Sequence, residues 1–141
     1  MSKTSIIFIS VLVTLIAGWL IIAPSVQRKL EVISCGNSMA SIGFAARLWA
    51  SDHEGQLPSD FLSMSNELII TKILICPGDH LRQMAGNWAA FTPKNSSYEI
   101  VTIGLRDSDT NTIFFRCTVH GNLGFADGTV FDGVSRRTKF P

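Results

Sequence analysis

The sequence predicts an α+β fold, in which one long N-terminal helix starting in a membrane is followed by a small antiparallel β-sheet. Three observations lead there. Residues 5 to 23 carry no charge and are apolar almost throughout. Apolar residues then recur at helical spacing as far as Trp49. After them, short β-branched and aromatic runs alternate with turn residues, the order expected of a helix beside an antiparallel sheet.

The chain has 141 residues, enough for one modest domain and an anchor. Its formal net charge is +1, from 12 basic and 11 acidic residues. Mixed charges of this kind do not form the basic face that neutralises phosphates, so nucleic acid is excluded as a partner.

The first element runs from Ser5 to Ala23 and approaches the roughly 20 apolar residues that cross about 30 Å of hydrocarbon. A cleaved secretory signal has an apolar region of about 7–15 residues and a small-x-small cleavage site. This run is longer, and Ala17-Gly18-Trp19 is a poor site. A retained anchor over residues 1–24, in contact with membrane lipid, is therefore expected. Lys3 on one side and Arg28 and Lys29 on the other nearly balance the positive-inside rule. The short N-terminal tail and three cysteines favour a cytoplasmic N-terminus and a domain in an oxidising compartment.

Residues 25–141 form the expected domain, with a helical shaft at 25–53 and a sheet region at 70–135. Leu30, Ile33, Ile42, Ala45, Ala46 and Trp49 keep the helical period through the shaft. Ile33, Ile42 and Trp49 are the candidate packing residues of that shaft. Pro24 removes a backbone donor and should kink the helix near the end of its membrane segment. Gly36 and Gly43 are either close-packing points or weak spots costing up to about 1 kcal/mol each. The helix should stop at His53-Glu54-Gly55-Gln56-Leu57-Pro58, where glycine caps and proline forbids continuation. A second helix fits Ser59 to Leu68. Strands fit Lys72 to Cys76, Ser97 to Ile103, Thr112 to Val119 and Leu123 to Phe131, separated by Gly, Pro, Asn and Asp turn signals. Trp49 and Trp88 read as core or interface aromatics, and Trp19 as part of the membrane helix.

The three cysteines admit three readings. Cys76 and Cys117 lie at expected strand ends and can pair as a disulfide. All can instead be reduced core residues. Cys76 with His80 and Cys117 with His120 also have spacings compatible with tetrahedral zinc. Cys35, the odd cysteine, is expected on the helix about 16 Å beyond the membrane, buried against the sheet or free to cross-link a neighbour. Asp107-Ser108-Asp109-Thr110-Asn111 places oxygens at alternate positions like the start of a calcium loop, without the glycine and distal glutamate such loops carry. A solvated turn is the simpler reading. His120 and Asp127 suggest acid–base chemistry only in isolation, because no nucleophile or phosphate-binding loop accompanies them. They read better as a terminal hairpin signature, with Asp127-Gly128 as its turn.

The segment from Cys35 to Pro58, through Asn37, Ile42, Gly43, Ala45, Arg47, Trp49, Ala50, Asp52 and Gly55, resembles prepilin-like bacterial proteins. Cys76-Pro77, Trp88, Ser97-Tyr98-Glu99 and His120 followed by Asp127-Gly128 are similar to the remainder of that group, which ends in a histidine and an Asp-Gly pair. The resemblance is to type IV pilins and type II secretion pseudopilins, and it covers nearly all of the chain from Pro24 onward. It implies a pilin-like domain and a structural or assembly subunit, or accessory protein, of a pilus or type II secretion-like system. It also implies a bacterial inner-membrane location with a periplasmic domain, other pilin-like subunits or secretion components as partners, and no enzymatic activity. Some major pseudopilins hold calcium in their sheet region, which adds weight to the 107–111 loop. The pattern departs at the start, where alignment on Pro24 places Ser2 at the family's cleavage glycine and Ile7 at its glutamate. The runner-up is accordingly a non-polymerising, membrane-tethered periplasmic binding domain with pilin architecture.

Overall fold

A computed structural model describes residues 3–132. Helix α1 spans Lys3–Ser51, and the chain divides into two compact units between Leu30 and Glu31.

In the first unit α1 is long and apolar enough to cross a membrane. Its large side chains are exposed, among them Leu15, Ile16 and Leu20, with Trp19 at 72%. Such a surface is unfavourable in water and matched by hydrocarbon. The hydroxyls of Thr14 and Ser25 donate to the carbonyls of Val11 and Ile22, each at 2.8 Å, so neither needs water. Pro24 lies within the helix without ending it.

In the second unit the buried positions of α1 include Cys35, Met39, Ile42, Ala46 and Ala50, steps of three and four that place them on one face. Glycines let the domain approach this face closely. A Cβ on Gly43 would stand 3.1 Å from the Gly128 backbone, and one on Gly36 would stand 3.1 Å from the Asp132 carboxylate. Both glycines are therefore close-packing points. The helix ends where the Gly55 amide reaches back to the Ala50 carbonyl at 2.8 Å, with Glu54 and Gly55 both at positive φ.

Two expected elements take other forms. The helix placed at Ser59–Leu68 shrinks to one turn, α2, at Ser65–Leu68. Asp60 prevents an earlier start, because its carboxylate accepts the Ser63 amide at 2.8 Å and the Ser63 hydroxyl at 3.0 Å. The strand placed at Lys72–Cys76 begins as a 3₁₀ turn at Thr71–Leu74, whose buried residues, Thr71 and Leu74, are three apart. Further 3₁₀ turns occupy Trp88–Ala90 and Pro93–Asn95.

The sheet consists of β1 (Tyr98–Ile100), β2 (Ile113–Cys117), β3 (Leu123–Phe125) and β4 (Val130–Phe131), antiparallel in chain order. The α+β class is as the sequence predicts. The run from Leu123 to Phe131 is a hairpin of two strands, with its reversal at residues 126–129. Residues 133 to 135, the end of the expected sheet region, lie outside the described residues. A register irregularity between Ile113 and Phe115 puts the adjacent Phe114 and Phe115 both in the core, where strict alternation would expose one. Their rings meet edge to face at 5.5 Å. Gly124 makes this possible, since any Cβ there would lie 2.2 Å from the Phe115 ring.

Candidate metal centre

Three distant parts of the chain converge at one corner of the second unit. The core-facing period of α1 delivers Cys35. The turn after the Thr71–Leu74 segment delivers Cys76, and the end of β2 with the turn beyond it delivers Cys117 and His120. The three sulfurs and a ring nitrogen of His120 all lie within 4.8 Å of one another. Cys35, Cys76 and Cys117 are 0%, 1% and 1% exposed, and His120 is half-buried.

Local geometry fixes each group. The Cys76 amide donates to the Ser97 hydroxyl at 3.0 Å, and that hydroxyl donates to the Asp79 carboxylate at 2.8 Å. The carboxylate is held by the Arg82 guanidinium at 2.8 Å and the Arg82 amide at 3.1 Å. Burial alone would raise the Asp79 pKa, but these donors outweigh it and keep the carboxyl below its ordinary range. The Cys117 amide donates to the Asn122 carbonyl at 2.9 Å, while the Asn122 side-chain amide donates to the Val32 carbonyl on α1 at 3.2 Å. Gly78 clears space for the histidine: a Cβ there would stand 2.7 Å from the His120 ring and 3.5 Å from the Glu31 carboxylate.

The sulfurs are themselves hydrogen-bonded. His120 Nδ1 lies 3.1 Å from Cys76 Sγ, the His120 amide donates to Cys117 Sγ at 3.4 Å, and the Tyr98 hydroxyl donates to Cys35 Sγ at 3.8 Å. Hydrogen bonding to Cys117 and Cys76, followed by burial, pushes the Cys35 thiol far up. The Cys76 thiol is pushed up to about 11, chiefly by its hydrogen bond with Cys117. Cys117, which accepts from both, is pulled well down. Burial raises Tyr98 most, with the neighbouring sulfurs adding to it.

Of the three readings of the cysteines, the structure shows no Cys76–Cys117 disulfide: all three cysteines are free and buried. The sequence paired two sulfurs, whereas the fold brings in a third from α1 and an imidazole beside them. Of the expected candidates Cys76, His80, Cys117 and His120, the structure brings together all but His80. His80 is exposed on the 79–82 turn, and Cys35 stands in its place. The detectable signal was that Cys35 keeps the core-facing period with Met39, Ile42 and Ala46.

The remaining candidates lie elsewhere. Asp127 accepts the Thr129 amide at 3.0 Å and its hydroxyl at 2.6 Å, and Gly128, at φ 78°, closes the β3–β4 turn. In the 107–111 loop the Asp109 carboxylate accepts the Arg106 amide at 2.8 Å, closing the turn on itself. Ile42 is fully buried, Ile33 is exposed, and Trp49 stacks on His53 with ring centroids 3.5 Å apart. The Trp88 indole donates to the Ile69 carbonyl at 3.1 Å, tying one surface turn to another. Among the described residues, the Cys35, Cys76, Cys117 and His120 set is the one place where three or more such ligand groups converge. Comparison with models of known protein families, with characterised proteins and with solved structures gives no match.

Proposed function

We propose that this chain is a single-pass membrane protein of pilin-like architecture that works by assembly rather than catalysis, as a pseudopilin-like subunit or accessory factor of a type II secretion or pilus-like system. The inner membrane holds the 5–23 segment, the N-terminus is cytoplasmic, and the domain faces the periplasm. The observation that carries this reading is helix α1. One helix has an all-round apolar, exposed stretch and, further along, a face of small buried residues on which an antiparallel sheet is mounted. A further feature supports association with other subunits. Phe44 and Leu48 on α1 remain exposed beside Ile69 and Ile70, lining an apolar groove of about 850 Å³. Other helices of the same kind are the partners expected there.

Site-specific photo-crosslinking from Phe44 in native membranes tests this. A ladder of cross-linked species containing this chain or pilin-like partners is expected. Uncrosslinked monomer throughout would remove the assembly role and leave a membrane-tethered binding domain.

A further inference from the structure

We propose that Cys35, Cys76, Cys117 and His120 hold one structural zinc ion in a closed tetrahedral site that fastens helix α1 to the Cys76 turn and to the end of β2. The ligand types come first. Three thiolates and an imidazole form a soft donor set for which tetrahedral zinc is the ordinary partner. Size comes second. Zinc–sulfur bonds of about 2.3 Å imply sulfur–sulfur edges of about 3.8 Å in a tetrahedron. Ligand atoms already within 4.8 Å of one another need only small rotations to reach that shape. The same limit leaves room for one ion and none for the irons and bridging sulfides of a polynuclear cluster.

Charge gives a third argument. Three thiolates around a divalent cation leave one net negative charge in a buried place, which must be offset by donors. The site supplies them: the His120 amide on Cys117 and the Tyr98 hydroxyl on Cys35.

A disulfide is a poorer use of these groups. Pairing Cys76 with Cys117 would leave the Cys35 thiol buried beside the bond and the His120 ring with nothing to ligate. A catalytic zinc is also a poorer match, because four protein ligands, three of them sealed from solvent, leave no open position. The site's role is to hold one helix and two turns together in a domain whose strands are two to five residues long. It stands independently of whether the chain assembles with others.

The test is metal analysis of the full chain, purified in detergent without chelator. About one equivalent of zinc per chain is expected, retained by His80→Ala and reduced below about a tenth by His120→Ala and by Cys35→Ser. Because Cys35→Ser can fail to fold, cobalt is exchanged into the unaltered chain as a second readout. Strong visible absorption typical of tetrahedral cobalt–thiolate is expected. Less than about a tenth of an equivalent of zinc in the folded chain, iron or copper in its place, weak octahedral cobalt absorption, or loss of zinc on His80→Ala would overturn the proposal.

Discussion

Gly124 and Phe115 form a pair in which the absence of one side chain permits the placement of the other. The ring of Phe115 lies where any β-carbon at 124 would be, so the glycine cannot be exchanged without moving a fully buried aromatic. Gly124→Val should destabilise the domain by about 3 kcal/mol, combining overpacking with partial loss of the Phe115 contacts. A lower urea midpoint with unchanged slope would show it, and a wild-type midpoint would refute it. Asp79 acts through hydrogen bonds rather than packing. Its carboxylate holds the Ser97 hydroxyl and the Arg82 guanidinium while nearly buried, with 8% of its side chain exposed. Asp79→Ala should cost roughly 1–3 kcal/mol, since it strands those donors. Arg116 and Glu99 pair across β1 and β2 but are about half exposed. Arg116→Ala should therefore change stability by less than about 1 kcal/mol.

At the scale of elements, the seam between α1 and the β3–β4 turn depends on two glycine backbones in contact. Gly43→Leu should cost about 1–3 kcal/mol despite leucine's better helix propensity, because the facing Gly128 backbone must move. Thermal unfolding of the two proteins side by side would measure it. Such seams explain which elements were legible in the sequence. α1, the stop at Glu54 and Gly55, and the Asp127-Gly128 turn depend on local signals: uninterrupted period, positive φ and Asx chemistry. The 59–76 region was misread because its apolar residues answer to tertiary partners. Phe61, Met64, Leu68, Thr71 and Leu74 are buried at steps of three and four, a helical spacing, yet the backbone forms only the short turns at Ser65–Leu68 and Thr71–Leu74, so burial spacing alone does not fix the element. Of the residues that converge at the three-thiol, one-imidazole corner, Cys76, Cys117 and His120 were legible, since they lie beside turn residues. Cys35 was missed because its partners are far away in sequence, and spacing carries no information about contacts made only by folding.

For the whole molecule, the apolar span of α1 and the stability of the domain have separate sources. Among the described residues of its own unit, the apolar surface around Leu15 and Ile16 is exposed. Ile16→Arg should disfavour insertion by about 3 kcal/mol and shift the chain from the carbonate-resistant membrane pellet towards the soluble fraction. Ile33→Arg, beyond the span, should leave that partition unchanged. The domain beyond Glu31 draws its stability from the small-residue face of α1, the Phe114–Phe115 core and the three-thiol, one-imidazole corner. Native mass spectrometry of the intact chain released from detergent tests this corner most directly. The predicted mass is that of the fully reduced chain with one zinc ion bound. A metal-free mass lighter by two hydrogens, marking a disulfide, would contradict it.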